Sequence, residues 1–324
     1  MHRRWALVAA AALVVVTLSP PGAASAHGRP CAAGAGLVWQ HSSDVVELMT
    51  MGCDGVAHQI THTTGGPGSG SEVPRWGDDR LVYFDSDRAG QVHLFRMPAE
   101  DGAPAEQLTL TDGFELTAAP TPDGRQVVFE HAPADFSSDG LFVMPDRAGV
   151  GEPEFRQLTA NPAVAAGGID TTPDVSPDGR TIVFVRVVDG SFGADHRSAV
   201  FTVRMDGSHL RQLTPYELDA LGPRWSPDGK WIAFSSHGDS FSDTVSADLY
   251  VMDKNGRRLN QVTHEPAGSH SFGPAWSPDG GRLVYTHVGP EVPATQLVVR
   301  RLDRPGTTVV YQGTSGVEQN PDWR

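Results

Sequence analysis

The sequence predicts an all-β protein: a six-bladed β-propeller of four-stranded antiparallel blades, closed by a C-terminal strand that completes the N-terminal blade. Three observations carry this. One motif recurs about every fifty residues, each recurrence holds four short strand-like runs, and the incomplete units at the two ends of the chain complement each other.

The motif is clearest at Pro223-Arg224-Trp225-Ser226-Pro227-Asp228-Gly229, which runs into Ile232-Ala233-Phe234. It returns at the same offsets in Pro274-Ala275-Trp276-Ser277-Pro278-Asp279-Gly280 before Leu283-Val284-Tyr285. Pro173-Asp174-Val175-Ser176-Pro177-Asp178-Gly179 before Ile182-Val183-Phe184 is a third copy. A weaker one starts at Ala118 and passes through Thr121-Pro122-Asp123-Gly124 to Val127-Val128-Phe129. Pro74-Arg75-Trp76 reaches Leu81-Val82-Tyr83 through a turn two residues shorter, and Pro321-Asp322-Trp323 opens a last unit. Starts at 74, 118, 173, 223, 274 and 321 are spaced by 44, 55, 50, 51 and 47 residues.

In each unit Ser-Pro-Asp-Gly is turn chemistry: Pro sets φ at the first corner and Gly accepts the positive φ that follows. The aspartates Asp123, Asp178, Asp228 and Asp279 are therefore expected to accept turn amides, not to catalyse. A second apolar run such as Leu249-Tyr250-Val251-Met252 and a last run ending in Gln-Leu-Thr complete four strands. The recurrent Trp76, Trp225, Trp276 and Trp323 read as packing between blades. At the N-terminus, Leu37–Trp39, Val45–Met51 and His58–Thr61 form a blade lacking its first strand, which Pro321-Asp322-Trp323 supplies. Radial stacking buries both faces of every blade.

Residues 1–26 carry Arg3 and Arg4, an apolar Trp5–Leu18 run and Ala24-Ser25-Ala26, the three parts of a signal peptide cleaved after Ala26. The apolar run is too short for a membrane span, so no transmembrane segment is expected after cleavage. The domain reading is residues 1–26 signal peptide, 27–36 N-terminal lead and 37–324 propeller. Export to an oxidising compartment predicts a disulfide between Cys31 and Cys53, the chain's 2 cysteines. A formal charge of −14, with arginines scattered rather than clustered, excludes nucleic acid as a partner.

The run Pro-x-Trp-Ser-Pro-Asp-Gly, then Leu-Tyr-Val-Met-Asp, then Arg-Gln-Leu-Thr resembles the TolB-type WD-like propeller repeat over roughly residues 37–324. TolB carries an α/β domain ahead of its propeller, for which the sequence leaves no room after the cleavage site. Prolyl-oligopeptidase-type enzymes set a similar propeller beside a hydrolase domain, but no Gly-x-Ser-x-Gly elbow is present. Oligogalacturonate lyases share the repeat and hold a metal in the funnel, but their Gln-x-x-His-x-His run is missing.

The loops after the second and fourth strands are long, among them 186–198, 236–247 and 287–295, so that face is expected to work. Two residues beyond the aromatic of each second strand stand His41, Asp85, His131, Arg186, Ser236 and His287, with His237 beside Ser236. His41, Asp85, His131, Arg186, His237 and His287 are the candidate ligand-binding residues, and Arg186 the expected clamp for an acidic group. His41, His131 and His287 are the candidates for a divalent metal, although no metal or other cofactor is assigned. The resulting reading is a secreted or periplasmic, monomeric, non-enzymatic binding module for a protein or cell-envelope polysaccharide ligand. The alternative is a metal-assisted polysaccharide lyase or hydrolase using the funnel histidines.

Overall fold

The computed structural model describes residues 36–64, 70–77, 80–135, 139–146, 154–163, 168–188, 197–236, 246–292 and 294–324. They form six four-stranded sheets arranged as blades. Blade 1 orders β24 (Val317–Trp323), β1 (Leu37–Ser42), β2 (Val46–Met51) and β3 (Ala57–Gln59) from the axis outward. Blade 2 holds β4 (Ser71–Trp76), β5 (Leu81–Ser86), β6 (His93–Pro98) and β7 (Glu106–Gln107). Blade 3 holds β8 (Phe114–Pro120), β9 (Gln126–Ala132), β10 (Gly140–Pro145) and β11 (Arg156–Gln157). Blade 4 holds β12 (Asp170–Val175), β13 (Thr181–Val187), β14 (Ser198–Arg204) and β15 (Arg211–Gln212). Blade 5 holds β16 (Ala220–Trp225), β17 (Trp231–Ser236), β18 (Asp248–Asp253) and β19 (Asn260–Gln261). Blade 6 holds β20 (His270–Trp276), β21 (Arg282–Val288), β22 (Gln296–Arg301) and β23 (Thr307–Gln312). No helix among the described residues is long and apolar enough to cross a membrane.

The expected closure is present: β24 pairs antiparallel with β1, placing Trp323 opposite Leu37 and Glu318 opposite His41. Six apolar clusters form the core, and each lies at a seam between neighbouring blades. One packs Leu37, Trp39 and Met51 of blade 1 against Ala275, Val284 and Leu297 of blade 6, which joins the last blade to the first. Burial of each such side chain contributes about 1.5–3 kcal/mol.

The repeated turn behaves as its chemistry demands. Oδ1 of Asp178 accepts the Arg180 amide at 3.1 Å and the Ser176 hydroxyl at 2.6 Å; Asp123, Asp228 and Asp279 repeat the pattern. Trp276 and Trp76 bridge blades, their indole N–H groups donating to the carbonyls of Arg224 and Gly36 at 3.0 and 2.8 Å.

The Gln-Leu-Thr ending has a role the sequence did not reveal. In five blades the threonine hydroxyl accepts the amide of a third-strand residue, as in Leu141 N to Thr159 Oγ1 at 3.0 Å and Val200 N to Thr214 Oγ1 at 2.9 Å. In four of these the glutamine amide bonds the threonine's own carbonyl, at 2.7–3.0 Å. The chain is thereby tied to its blade where it leaves for the next.

Candidate binding site

The registers fix one position per blade at the base of the long-loop face: His41 opposite Glu318, His131 opposite Glu115, Arg186 opposite Asp170, Ser236 opposite Ala220 and His287 opposite Ser271. In blade 2 the occupant is Ser86, opposite Ser71, and not the expected Asp85. The strand-end aromatic there is Phe84, because Val82 sits opposite Trp76 as Ile232 sits opposite Trp225. The turn is thus one residue shorter than the template, not two, and a one-residue slip exchanges the faces of a strand. Asp85 turns into the ring and accepts the Thr117 amide of blade 3 at 3.2 Å. Burial, reinforced by Glu72, pushes its carboxyl well above the usual range.

Four of the aligned side chains, His41, His131, Arg186 and His287, each meet an acid or hydroxyl of their own blade, whereas Ser86 and Ser236 donate to the carbonyls of Gly70 and Leu218. His41 Nδ1 lies 2.7 Å from Glu318, whose other oxygen accepts the Trp39 indole N–H at 2.6 Å. Glu115 receives His131, His93 and Thr111 at 2.9, 2.8 and 2.6 Å. Burial raises the Glu115 carboxyl, but these hydrogen bonds outweigh it and hold the group below its ordinary value. His287 lies 3.3 Å from Ser271 Oγ and 3.6 Å from Glu265. Among the described residues, no three His, Cys, Asp or Glu side chains gather as a metal-ion site.

Arg186 corrects a specific expectation. Its fork donates through Nε and Nη2 to both oxygens of Asp170, at 2.7 and 2.6 Å, and Nη2 also reaches the Ala160 carbonyl. The side chain is buried, and its planar geometry clamps a carboxylate of its own blade. His237, Cys31 and the signal peptide lie outside the described residues, as do 164–167, 189–196 and 237–245 of the long loops.

A cavity of about 600 Å³ opens instead on the Ser-Pro-Asp-Gly face, between blades 5 and 6. Trp231, Val251 and Val262 line it from blade 5 and Trp276 and Leu302 from blade 6, with Arg258, Asn260, Arg301 and Asp303 at its polar edge. Its volume is that of a small-molecule or side-chain pocket. A second cavity, of about 120 Å³, lies beside Asp85 and Glu72.

Two other seams are bridged where this one, among the described residues, is not. Between blades 3 and 4, Arg156 donates to the Met205 carbonyl at 2.7 Å; between blades 4 and 5, Arg211 donates to that of Asn255 at 2.9 Å. The hairpins reached this way carry Gly207 and Gly256, where an added Cβ would stand 3.2 and 2.8 Å from the carbonyl oxygens of Leu158 and Leu213. In the seam between blades 5 and 6, Asn260 holds the arginine position and Arg304 the glycine position. The shorter amide makes no equivalent bridge among the described residues, and a residue with a Cβ cannot press onto its neighbour as the glycines do. The β17 start is also unusual: Trp231 stands where other second strands begin with Leu81, Gln126, Thr181 and Arg282. These differences from blades 3 and 4 were the signal in the sequence for this site.

The model of the TolB beta propeller domain matches residues 161–323, half of the chain. A Protein TolB homolog from Chlorobium luteolum is 30% identical over 157 residues, 48% of this chain and 31% of that protein. The matched stretches span less than half the length of the curated relatives. The structure of putative TolB from Agrobacterium tumefaciens superposes with a TM-score of 0.63 at 18% identity, covering 87% of this chain and 92% of that one. TolB from Acinetobacter baumannii gives 0.66 at 17% identity, covering 89% and 66%. At such identities the superpositions establish the fold and not the function. By its repeats, its six closed blades and the match over half its length, the chain belongs to the TolB β-propeller family.

Proposed function

We propose that the protein is an exported, non-enzymatic binding module for a protein or cell-envelope ligand. The observation that carries this reading is the cavity between blades 5 and 6, an open recess lined by Trp231 and Trp276. Apolar walls with a few polar groups at the edge are what recognition needs. The polar side chains on the opposite face support the same reading, because His41, His131 and Arg186 are hydrogen-bonded to carboxylates of their own blades. Export rests on the pattern of residues 1–26. Its test is capture from envelope and culture-fluid fractions, with the mature chain and its Asn260→Arg variant as parallel baits. The expected result is a partner retained by the native seam and released when arginine closes it. A partner held equally by both baits, or metal-dependent cleavage of a polysaccharide by the purified protein, would overturn the reading.

A further inference from the structure

We propose that the cavity between blades 5 and 6 docks an acidic peptide segment that inserts one bulky apolar side chain, an aromatic one by preference. This deepens the binding-module reading and rests on it. The recess is walled by Trp231 and Trp276 and floored by Val251 and Val262, surfaces that an aromatic ring fills better than a charged or small side chain. Leu302 at the edge is 39% exposed, which leaves apolar surface for the residues flanking the anchor.

Charge selects the rest of the ligand. The chain is acidic overall, at −14, yet the two hairpins beside the cavity are basic. The blade 5 hairpin carries Lys254, Arg257 and Arg258 against Asp253; the blade 6 hairpin carries Arg301 and Arg304 against Asp303. Arg301 is held by Asp303 through two hydrogen bonds of 2.9 and 2.7 Å. Arg258 lines the cavity, and its charge also acts on Asp253 of the same hairpin. Arg258 lines the recess from blade 5 and Arg301 from blade 6, so a ligand that meets both must span it. An extended acidic segment does so, with one ring anchored between the hairpins. A basic segment is repelled at the same place.

The test uses the full mature chain and three fluorescein-labelled hexapeptides read by anisotropy. They are Asp-Glu-Asp-Trp-Glu-Asp, the same peptide with Ala for Trp, and a lysine version that keeps the Trp. The acidic Trp peptide is expected to bind saturably and to weaken as salt is added. The alanine and lysine versions should each bind at least about tenfold more weakly. Asn260→Arg, which copies Arg211 of blade 4, and the Arg258→Glu/Arg301→Glu pair should lose a similar factor. Trp231→Thr, which copies Thr181 at the same position of blade 4, serves if Asn260→Arg fails to fold. Equal binding of the lysine peptide, no binding of the acidic one, or binding indifferent to the substitutions would overturn this occupant. The two readings separate cleanly. A captured partner released by Asn260→Arg from a chain that ignores the acidic peptide discards this ligand and keeps the binding module, whereas a partner unaffected by Asn260→Arg discards the site.

Discussion

Asp322 of β24 accepts the main-chain N–H of Trp76 in β4 through Oδ2, at 2.8 Å. The joint between blades 4 and 5 is the same, with Asp174 accepting the Trp225 amide at 2.7 Å. Both carboxylates act on the buried guanidinium of Arg75, whose Nε and Nη1 find no hydrogen-bond partner among the described residues. Closure of the ring therefore rests on a side chain of the last strand as well as on its ladder. Low-dielectric surroundings strengthen this attraction and make its loss expensive.

Deleting residues 321–324, or replacing Asp322→Ala, is expected to lower the melting temperature of the whole ring. Removing the carboxylate leaves the Trp76 amide without its acceptor, and an unsatisfied buried donor costs about 1–3 kcal/mol. Asp322→Asn keeps an acceptor for Trp76 and should cost less. Thermal unfolding followed by circular dichroism decides this, and a truncated chain that melts like the full one would show that closure does not depend on this strand.

Arg186 is expected to behave as a structural residue. Arg186→Ala leaves Asp170 buried and uncompensated, for a loss of about 3–5 kcal/mol. The Arg186→Met/Asp170→Leu double variant should recover most of it, because apolar residues of similar size replace such pairs at little cost. Denaturant titration of the single and double variants checks this. A single variant as stable as the native chain would free Arg186 for a ligand.

The fold was legible in the sequence because the residues that specify it act locally and recur. Pro227, Asp228 and Gly229 set a turn whatever surrounds them, and the spacing of Trp225, Trp276 and Trp323 counts the blades. The candidate site was less legible, for two physical reasons. Assigning Asp85 to the aligned ring required the register of β5, and a turn of altered length shifts that register by one residue without disturbing the apolar pattern. Sequence also shows that Arg186 is able to clamp a carboxylate, but not that Asp170, sixteen residues earlier, already fills the clamp. The seam cavity is lined by positions that vary from blade to blade, Trp231 and Asn260 among them, which the shared motif does not describe.

The Gln-Leu-Thr ending should be sensitive at its threonine. Thr159→Val removes the acceptor of the buried Leu141 amide, and an unsatisfied buried donor costs about 1–3 kcal/mol. Thr159→Ser keeps the hydroxyl and should retain most of the stability. Gln157→Ala, at a more exposed bond, is expected to cost about 1 kcal/mol. Equal stability of the valine and serine variants in urea titrations would remove the hydroxyl from the account.

Stability is expected to fall as the medium turns from mildly acidic to alkaline. Burial pushes the Asp174 carboxyl up to about 7, against the opposing pull of Arg75 and the Trp225 amide. Burial also raises Glu130 and Asp139, and their mutual repulsion adds to it for Glu130. A carboxyl whose folded pKa lies above its unfolded value binds more protons in the native state. Its contribution is complete below the unfolded value, about 4, and is lost as pH rises through the folded one. Carboxylates held low by hydrogen bonds, such as Glu115 and Asp178, act in the opposite sense, but their effect falls in the acid range. Between about pH 5 and about pH 8.5 the raised group therefore governs, and the melting temperature should drop across that interval. Glu130→Gln removes one buried titrating group, so its melting curve should match the native one near the acid end and exceed it at the alkaline end. A native melting temperature that is flat or rises across the same interval would mean that these acids are hydrated in the folded ring.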